Sequence, residues 1–310
     1  MAKTLFETYA RGKLLITGEY AVLDGALALA VPVQRGQSLH AQTSAPTGCL
    51  RWRALDEQGY CWLEALISLH DFEVQETNDP PTAAGLQNLL RAARNQNPDF
   101  LTNETNAAVE TRTDFPRAWG LGTSSTLVAA MAKWAAVSPY RLLADSFGGS
   151  GYDVACAYAN GPVLYRRSPD GSPEVRPVAF HPPFTKQLYF VYLGQKQDSR
   201  TGIKRYRAVA SEAQTLAAAL STLTEQALRA DTLSEFEQVL ETHEQRVAEA
   251  LQLPRAKDRY FKDYWGVVKS LGAWGGDFVL ATSARTPEET RAYFNDLGFQ
   301  VFIPWNELAL

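Results

Sequence analysis

Apolar positions in the first forty residues come in short runs separated by turn residues. Residues 14–17 form one run, 26–33 a longer one, and 38–42 alternate weakly, with Gly18, Asp24-Gly25 and Gly36 as turns. This pattern predicts a twisted antiparallel sheet. Pro80-Pro81-Thr82 breaks it. Over 83–93, Leu86, Leu89, Leu90 and Ala93 recur at helical spacing, and 106–113 alternates as a strand. A loop of Gly, Ser and Thr at 120–126 leads into an Ala-rich helix over 127–136. A second small-residue loop at 148–151 precedes Tyr152-Asp153-Val154-Ala155, and 162–165 reads as a strand.

The pattern then shifts. Residues 168–173 form a hairpin turn or surface loop, and His181-Pro182-Pro183 is a second break. The domain boundary is placed between them, giving 1–175 and 176–310. In the second half, strands are predicted at 188–193, 278–282 and 299–303. Long helices are predicted at 211–230 and 233–251, joined by Asp231-Thr232. Thr286-Pro287-Glu288-Glu289 is a helix start, with Thr as the cap, Pro first and Glu third, and Gly298 ends that helix. The fold class is α+β, in two domains.

With 310 residues, 45% hydrophobic and 21% charged, the chain has globular composition, which excludes wholesale disorder. Thirty basic against thirty-four acidic side chains, net −4 and without a basic block, argue against nucleic acid as partner. No apolar run approaches the ~20 residues of a membrane helix. Glu7 stands where a signal peptide needs an apolar core. The expectation is a cytoplasmic protein. Cys49, Cys61 and Cys156 are odd in number and far apart, which argues against a disulfide framework or structural zinc. The histidines His40, His70, His181 and His243 show no metal spacing. His243, in a charged helical stretch, is read as a surface residue.

Four segments could carry chemistry. Gly120-Leu121-Gly122-Thr123-Ser124-Ser125 lets backbone approach an anion at a helix N-terminus, and its hydroxyls can ligate Mg²⁺. Taken alone, such a loop is more often a cap, and it is not a GxxxxGK[ST] P-loop. Gly149-Ser150-Gly151-Tyr152-Asp153 holds an acid on a tight turn, where it can orient or deprotonate a hydroxyl. The bland alternative is a turn-capping Asp. Lys13 opens an apolar strand and could stabilise developing charge, or simply reach solvent. Glu19 could pair with Lys13, contact metal or lie on the surface. Lys269-Ser270-Leu271-Gly272-Ala273-Trp274-Gly275-Gly276-Asp277 is a Gly-rich turn before a strand, able to pack over a ligand.

Together and in order, these segments resemble the GHMP kinase superfamily of galactose, homoserine, mevalonate and phosphomevalonate kinases. Residues 10–23 resemble its APGK…GE(H/Y)AV motif, 116–126 its PxGxGLGSSAA phosphate loop, and 269–281 its KxxGAGGGG motif. Gly18-Glu19-Tyr20-Ala21 and Gly275-Gly276-Asp277 are similar to the phosphomevalonate kinase versions. Ser150-Gly151-Tyr152-Asp153-Val154-Ala155 is similar to the SG(F/Y)DVA segment, and to a GYD(I/V)A-type bacterial set. Arg11, Ala118, Trp119, Ser125, Thr126 and Trp274 depart from the motifs. The helical glutamate that mevalonate kinases use for Mg²⁺ has no counterpart here beyond Asp145.

The resemblance implies a ribosomal-protein-S5-like N-terminal half, a ferredoxin-like C-terminal half and an active site in the cleft between them. It implies ATP and Mg²⁺ as cofactors and phosphoryl transfer to a small hydroxy- or phospho-acid, with mevalonate or phosphomevalonate of the isoprenoid precursor pathway foremost. Asp153 and Lys13 are then catalytic; Gly120, Leu121, Gly122, Thr123, Ser124 and Ser125 hold the nucleotide; Ser124 holds the metal. Glu19, Tyr20, Ser150, Gly151, a loop at Ser199, Arg200 and Thr201, and Gly272 and Ala273 fall to the substrate. Arg11, Lys196, Arg200 and Lys204 are candidate cations for a phosphorylated acceptor. A homodimer is a family habit. A mevalonate-diphosphate-decarboxylase-like enzyme and a catalytically silent ligand-binding protein are the alternatives.

Overall fold

The computed structural model describes residues 3–44, 48–102, 107–195, 199–209, 212–274 and 276–310. The chain is α+β and falls into two compact units: 1–12, 35–117 and 121–158 make the first; 13–34, 118–120 and 159–310 make the second. Two long strands, β1 (Thr4–Thr17) and β2 (Ala28–Thr43), contribute residues to both.

In the first unit, β3 (Cys49–Leu55), β4 (Cys61–Ser68), β5 (Val74–Thr77) and β6 (Ala107–Thr113) join the later half of β2 in the order β5-β4-β3-β6-β2. Neighbours are antiparallel except β3 and β6, which are parallel. Alternation places Leu50, Trp52 and Ala54 inside and Arg51 and Arg53 outside, as a half-buried strand requires. The buried face packs on α1 (Pro80–Gln96), α2 (Thr123–Ala135) and α3 (Pro139–Ser146). Leu86, Leu89 and Leu90 of α1 and Val128 and Met131 of α2 supply that core. A short helix, α4 (Tyr152–Cys156), packs against α2.

In the second unit, β7 (Val163–Arg167) pairs with Ala28–Ala30 of β2 and turns into β8 (Pro173–Pro177). The turn at 168–172 is closed by Asp170, which accepts from the Ser172 backbone N–H and hydroxyl. After β9 (Leu188–Tyr192) come helices α5 (Ser199–Val209), α6 (Ala213–Arg229), α7 (Leu233–Leu251) and α8 (Ala256–Tyr260). Strands β10 (Val268–Ser270) and β11 (Phe278–Thr282), helix α9 (Pro287–Asp296), strand β12 (Phe302–Pro304) and helix α10 (Trp305–Leu308) complete the chain. The antiparallel sheet runs β10-β11-β9-β12. One core gathers Tyr189, Val191, Val279, Ala281, Phe294 and Phe302; another gathers Tyr20, Tyr206, Leu220, Val247 and Trp274.

Both long helices appear where expected, and α9 carries its full capping box of Thr286 and Glu289. Four boundaries moved for identifiable reasons. The two strands expected around Gly36 are one, β2, because Gly36 is extended: its N–H donates to Asp114 Oδ1 at 2.6 Å. Helix α1 starts three residues early, at Pro80, because the Asp79 carboxylate caps Thr82 N–H. Helix α2 starts four residues early because Gly122 itself is the cap. The last strand is shortened because Phe299 N–H is spent closing α9 on Phe294 O at 2.9 Å.

Trp52, 1% exposed at the centre of the first core, tests that packing. Trp52→Ala is expected to cost about 3–5 kcal/mol in urea unfolding, the scale for emptying a large aromatic site.

Candidate functional site

In the first unit the phosphate-loop candidate enters α2 directly. Gly122 adopts φ 98°, ψ 41° as the N-cap, a left-handed conformation that suits glycine, and no side chain caps the helix. The first-turn N–H groups therefore face outward without a competing side-chain acceptor, which is the anion-binding arrangement. Ser125 and Thr126 spend their hydroxyls inward: Ser125 donates to Gly122 O at 3.0 Å, and Thr126 to Gln37 Oε1 at 2.7 Å. Of the four nucleotide-side residues 122–125, Ser125 can then serve only through its backbone. Ser124 is exposed on the first turn.

Asp153 lies in the first turn of α4, half-buried, after the positive-φ glycines Gly148, Gly149 and Gly151. Gly151 O accepts from Val154 and Ala155 N–H, each at 3.1 Å. Because α4 packs on α2, Asp153 and the candidate phosphate loop stand on neighbouring helices of this unit.

In the second unit Lys13 is 8% exposed and its ammonium donates to Gly120 O at 3.2 Å. The carboxyl of Asp277, itself at φ 52°, lies flat over Gly120: a Cβ there would stand 2.3 Å from Asp277 Cγ. The departure at Trp119 has a packing role. Its ring meets Phe278 edge-on at 5.5 Å and Tyr192 at 6.5 Å, and Tyr192 O–H donates to Ala118 O at 2.9 Å.

The same unit contains a buried ionic cluster. Lys269, with no exposure, donates to Glu19 Oε1 and, at 2.9 Å, to Ser270 O. Glu244 on α7 accepts from Ser270 N–H at 3.1 Å and Ser270 O–H at 2.9 Å. His243 is wholly buried, and its Nε2 accepts the Gly18 N–H at 2.8 Å. An accepting Nε2 carries no proton, so the 3.4 Å approach of Glu19 Oε2 is not an ion pair. Burial holds His243 well below the ordinary histidine value, and Lys269 adds to that effect. Burial also pushes Glu19 up, against the pull of Lys269, and lifts Glu244 to about 7. Two ionised carboxylates beside one ammonium would bury an excess negative charge, and the rise of Glu244 favours its neutral form there.

These observations correct three expectations. His243 is not at the surface: it sits on the apolar stripe Phe236, Leu240, Val247, Leu251 of α7, a spacing visible in the sequence. Glu19 is neither exposed nor paired to Lys13, and at 1% exposure it grips Lys269 instead. Ser199, Arg200 and Thr201 are not a loop but the first turn of α5, held down where Tyr206 enters the core and Arg205 donates to Leu251 O at 2.8 Å. The side chains of Ser199 and Arg200, and Lys196 and Gly275 altogether, lie outside the described residues. Lys204 is exposed and Arg11 half-buried.

Tyr20 organises the remaining substrate-side candidates. It adopts φ 60°, stacks on Tyr206 at 5.8 Å, and its hydroxyl accepts Trp274 N–H at 2.9 Å. Trp274 turns its ring into the core and donates its indole N–H to Pro254 O at 3.2 Å. The bulk of this departure is therefore directed into the core, and Gly272, at φ 65°, has open space at its Cα. Ala273 is buried, as are Gly151 in the first unit and Ser270 here, while Ser150 is half-buried. Among the described residues there is no cluster of three or more His, Cys, Asp or Glu able to hold a metal, and no helix long and apolar enough to cross a membrane.

No family model and no curated protein matches the chain. Solved structures do. Streptococcus pneumoniae phosphomevalonate kinase, in complex with phosphomevalonate and AMPPNP, is 18% identical with TM-score 0.69, over 96% of this chain and 99% of that one. Methanococcus jannaschii mevalonate kinase is 13% identical with TM-score 0.68, over 94% and 95%. Lactococcus lactis galactokinase with galactose is 11% identical with TM-score 0.67, over 98% and 92%. The chain has the fold of these kinases, the GHMP kinase fold that the sequence resemblance implied.

Two substitutions test the buried cluster. Lys269→Met leaves Glu19 buried without its counter-charge and is expected to cost about 3–5 kcal/mol, with part recovered when Glu19→Gln is added. The pH signs are opposite for the two α7 groups. Glu244, raised from 4.5 to about 7, favours folding at low pH and loses that contribution as pH rises through this window. His243, held below 6.5, favours folding above that value and loses it as pH falls. Glu244→Gln is expected to flatten the alkaline-side loss between about pH 5 and 8 by on the order of 3 kcal/mol, read from urea titrations across pH.

Proposed function

We propose that the chain is an ATP-dependent phosphotransferase that acts on a small hydroxy- or phospho-acid, mevalonate or phosphomevalonate first among them. The observation that carries this is the N-terminus of α2, opened by a left-handed Gly122 with no capping side chain, ahead of the half-buried Asp153 on a helix packed against it. The likeness in fold to kinases of mevalonate, phosphomevalonate and galactose supports the reaction class.

In this reading Gly122, Thr123, Ser124 and Ser125 hold phosphate oxygens through backbone N–H groups, with Gly120 and Leu121 shaping the approach. Asp153 orients the acceptor hydroxyl and takes its proton. The Lys13 ammonium neutralises charge that develops in transfer. The exposed Ser124 hydroxyl would hold a Mg²⁺ ion, which would offset phosphate charge when bound. Positioning and electrostatics supply the rate, since this chemistry asks little covalent work of the protein. The split at 175/176 into two catalytic halves and a cytoplasmic location complete the proposal.

ADP release with Mg-ATP is the test, against mevalonate, phosphomevalonate, galactose and homoserine in turn. Turnover is expected on one acceptor, and Asp153→Asn is expected to lower it by at least ~100-fold. Near-normal turnover in that variant removes Asp153 from the chemistry. CO₂ release would instead identify a decarboxylase.

A further inference from the structure

The first turn of α2 is tied to the sheet by a threonine. Thr126 is buried, and its Oγ1 lies 2.7 Å from Gln37 Oε1 and 2.9 Å from Thr123 O. One proton thus stands between an acceptor on β2 and an acceptor in the turn itself. Ser125, by contrast, bonds back to Gly122 O and stays within the turn. The anchor on β2 is firmly held. Gln37 is buried and faces Thr113 across the ladder of β2 and β6. Beside it, Gly36 N–H donates to Asp114 Oδ1 at 2.6 Å, and Gly36 O accepts Asp114 N–H at 3.1 Å. A Cβ on Gly36 would lie 2.3 Å from Ala10 O, so β1 runs close against the same point. All of these residues belong to the first unit, as do Gly122 and Ser124.

Gly122 opens the helix without a capping side chain, Thr123 is half-buried and Ser124 is exposed. Thr126 stands where the family motif has alanine, and a methyl group could not make this bond. We infer that Thr126 and Gln37 are positioning residues for the nucleotide phosphates: their hydrogen bond fixes the first turn of α2 on the sheet, and with it the direction of the outward N–H groups of residues 122–125. The role rests on the phosphotransfer reading above and extends it. Neither side chain touches phosphate, and both act through the backbone of the turn. Oriented N–H donors stabilise an anion only while they point at it, and a misplacement of about 1 Å is enough to cost one to two orders of magnitude.

The experiment compares the unaltered protein with Thr126→Val, Thr126→Ser and the Gln37→Met, Thr126→Val pair. Each is measured in steady-state ADP release, in ATP binding by calorimetry and in urea unfolding. Thr126→Val keeps the volume, removes the hydroxyl and leaves Gln37 Oε1 buried without its partner. It is expected to raise the ATP KM about tenfold, leave the acceptor KM within about twofold and lower the urea midpoint. Thr126→Ser keeps the hydroxyl and is expected to hold the ATP KM within about twofold. The pair makes both partners apolar, which is expected to return the urea midpoint toward that of the unaltered protein while the ATP KM stays raised. A role in stability alone would restore the two together. An unchanged ATP KM in Thr126→Val, equal losses for ATP and acceptor, or joint recovery in the pair overturns the proposal. Absence of ADP release from the unaltered protein with every acceptor overturns the phosphotransfer reading. The positioning role is then read from ATP binding alone. A Kd about tenfold weaker in Thr126→Val sustains it, and an unchanged Kd, or no ATP binding by the unaltered protein, overturns it.

Discussion

An ammonium with no exposure to water is the constraint on which the second unit depends. Lys269 stands on the short strand β10, and desolvating its charge costs several kcal/mol unless a counter-charge comes to it. Glu19 is that counter-charge, 250 residues earlier in the chain. It arrives on the turn that ends β1, so meeting the charge fixes the turn in space. Gly18 N–H on His243 and the Thr17 hydroxyl on Thr224 at 2.8 Å hold the same turn to α7 and α6. Two charges, one neutral imidazole and a few hydroxyls thereby tie four elements that are remote in sequence.

Tyr20 follows from that anchoring. A tyrosine at φ 60° is strained by on the order of 1–3 kcal/mol, and such a conformation persists only where the surroundings over-determine it. Here Glu19 is fixed one residue before, Ala21 and Val22 are buried after, and the ring lies between Tyr206 and the backbone of Trp274. The strain aims a hydroxyl at a backbone N–H that would otherwise be buried unpaired. Trp274, a departure from the glycine of the family motif, is accommodated because its ring turns inward to the same cluster. The open face of the turn then remains at Gly272.

Local signals carried much of this. Thr286-Pro287 with Glu289 named the start of α9, and the apolar spacing of 233–251 named α7 to the residue. The strand 278–282 was legible as a continuous apolar run because β11 is buried on both faces. What local pattern could not express were pairings across long separations. Charge on Lys269, Glu19 and Glu244 reads as surface in any window, since a window does not show that Lys269 pairs with Glu19 or that Ser270 meets Glu244. His243 was legible in principle: it falls on the apolar stripe of α7, and only its polarity argued for solvent. Gly36 failed differently, because a glycine that permits close approach looks the same in sequence as one that permits a turn. The start of α5 was missed because its stability comes from Tyr206, Arg205 and Arg207 reaching distant partners rather than from its own first turn.

The residues shared with a family motif therefore divide by physical role. Gly122, Ser124 and Asp153 present groups outward or at half-buried positions, where a ligand can meet them. Glu19 and Lys269, which look equally chemical in the sequence, are closed to ligands of any size by complete burial. Their chemistry is spent on each other, and the product is geometry: the position of Tyr20. A framework of that kind meets no ligand directly, because its charged groups are buried. What it sets is the position of the elements it holds up, the first turn of α5 and the turn at Gly272. These elements meet at the Tyr20 hydroxyl, which accepts Trp274 N–H and leaves no room for a side chain at Gly202.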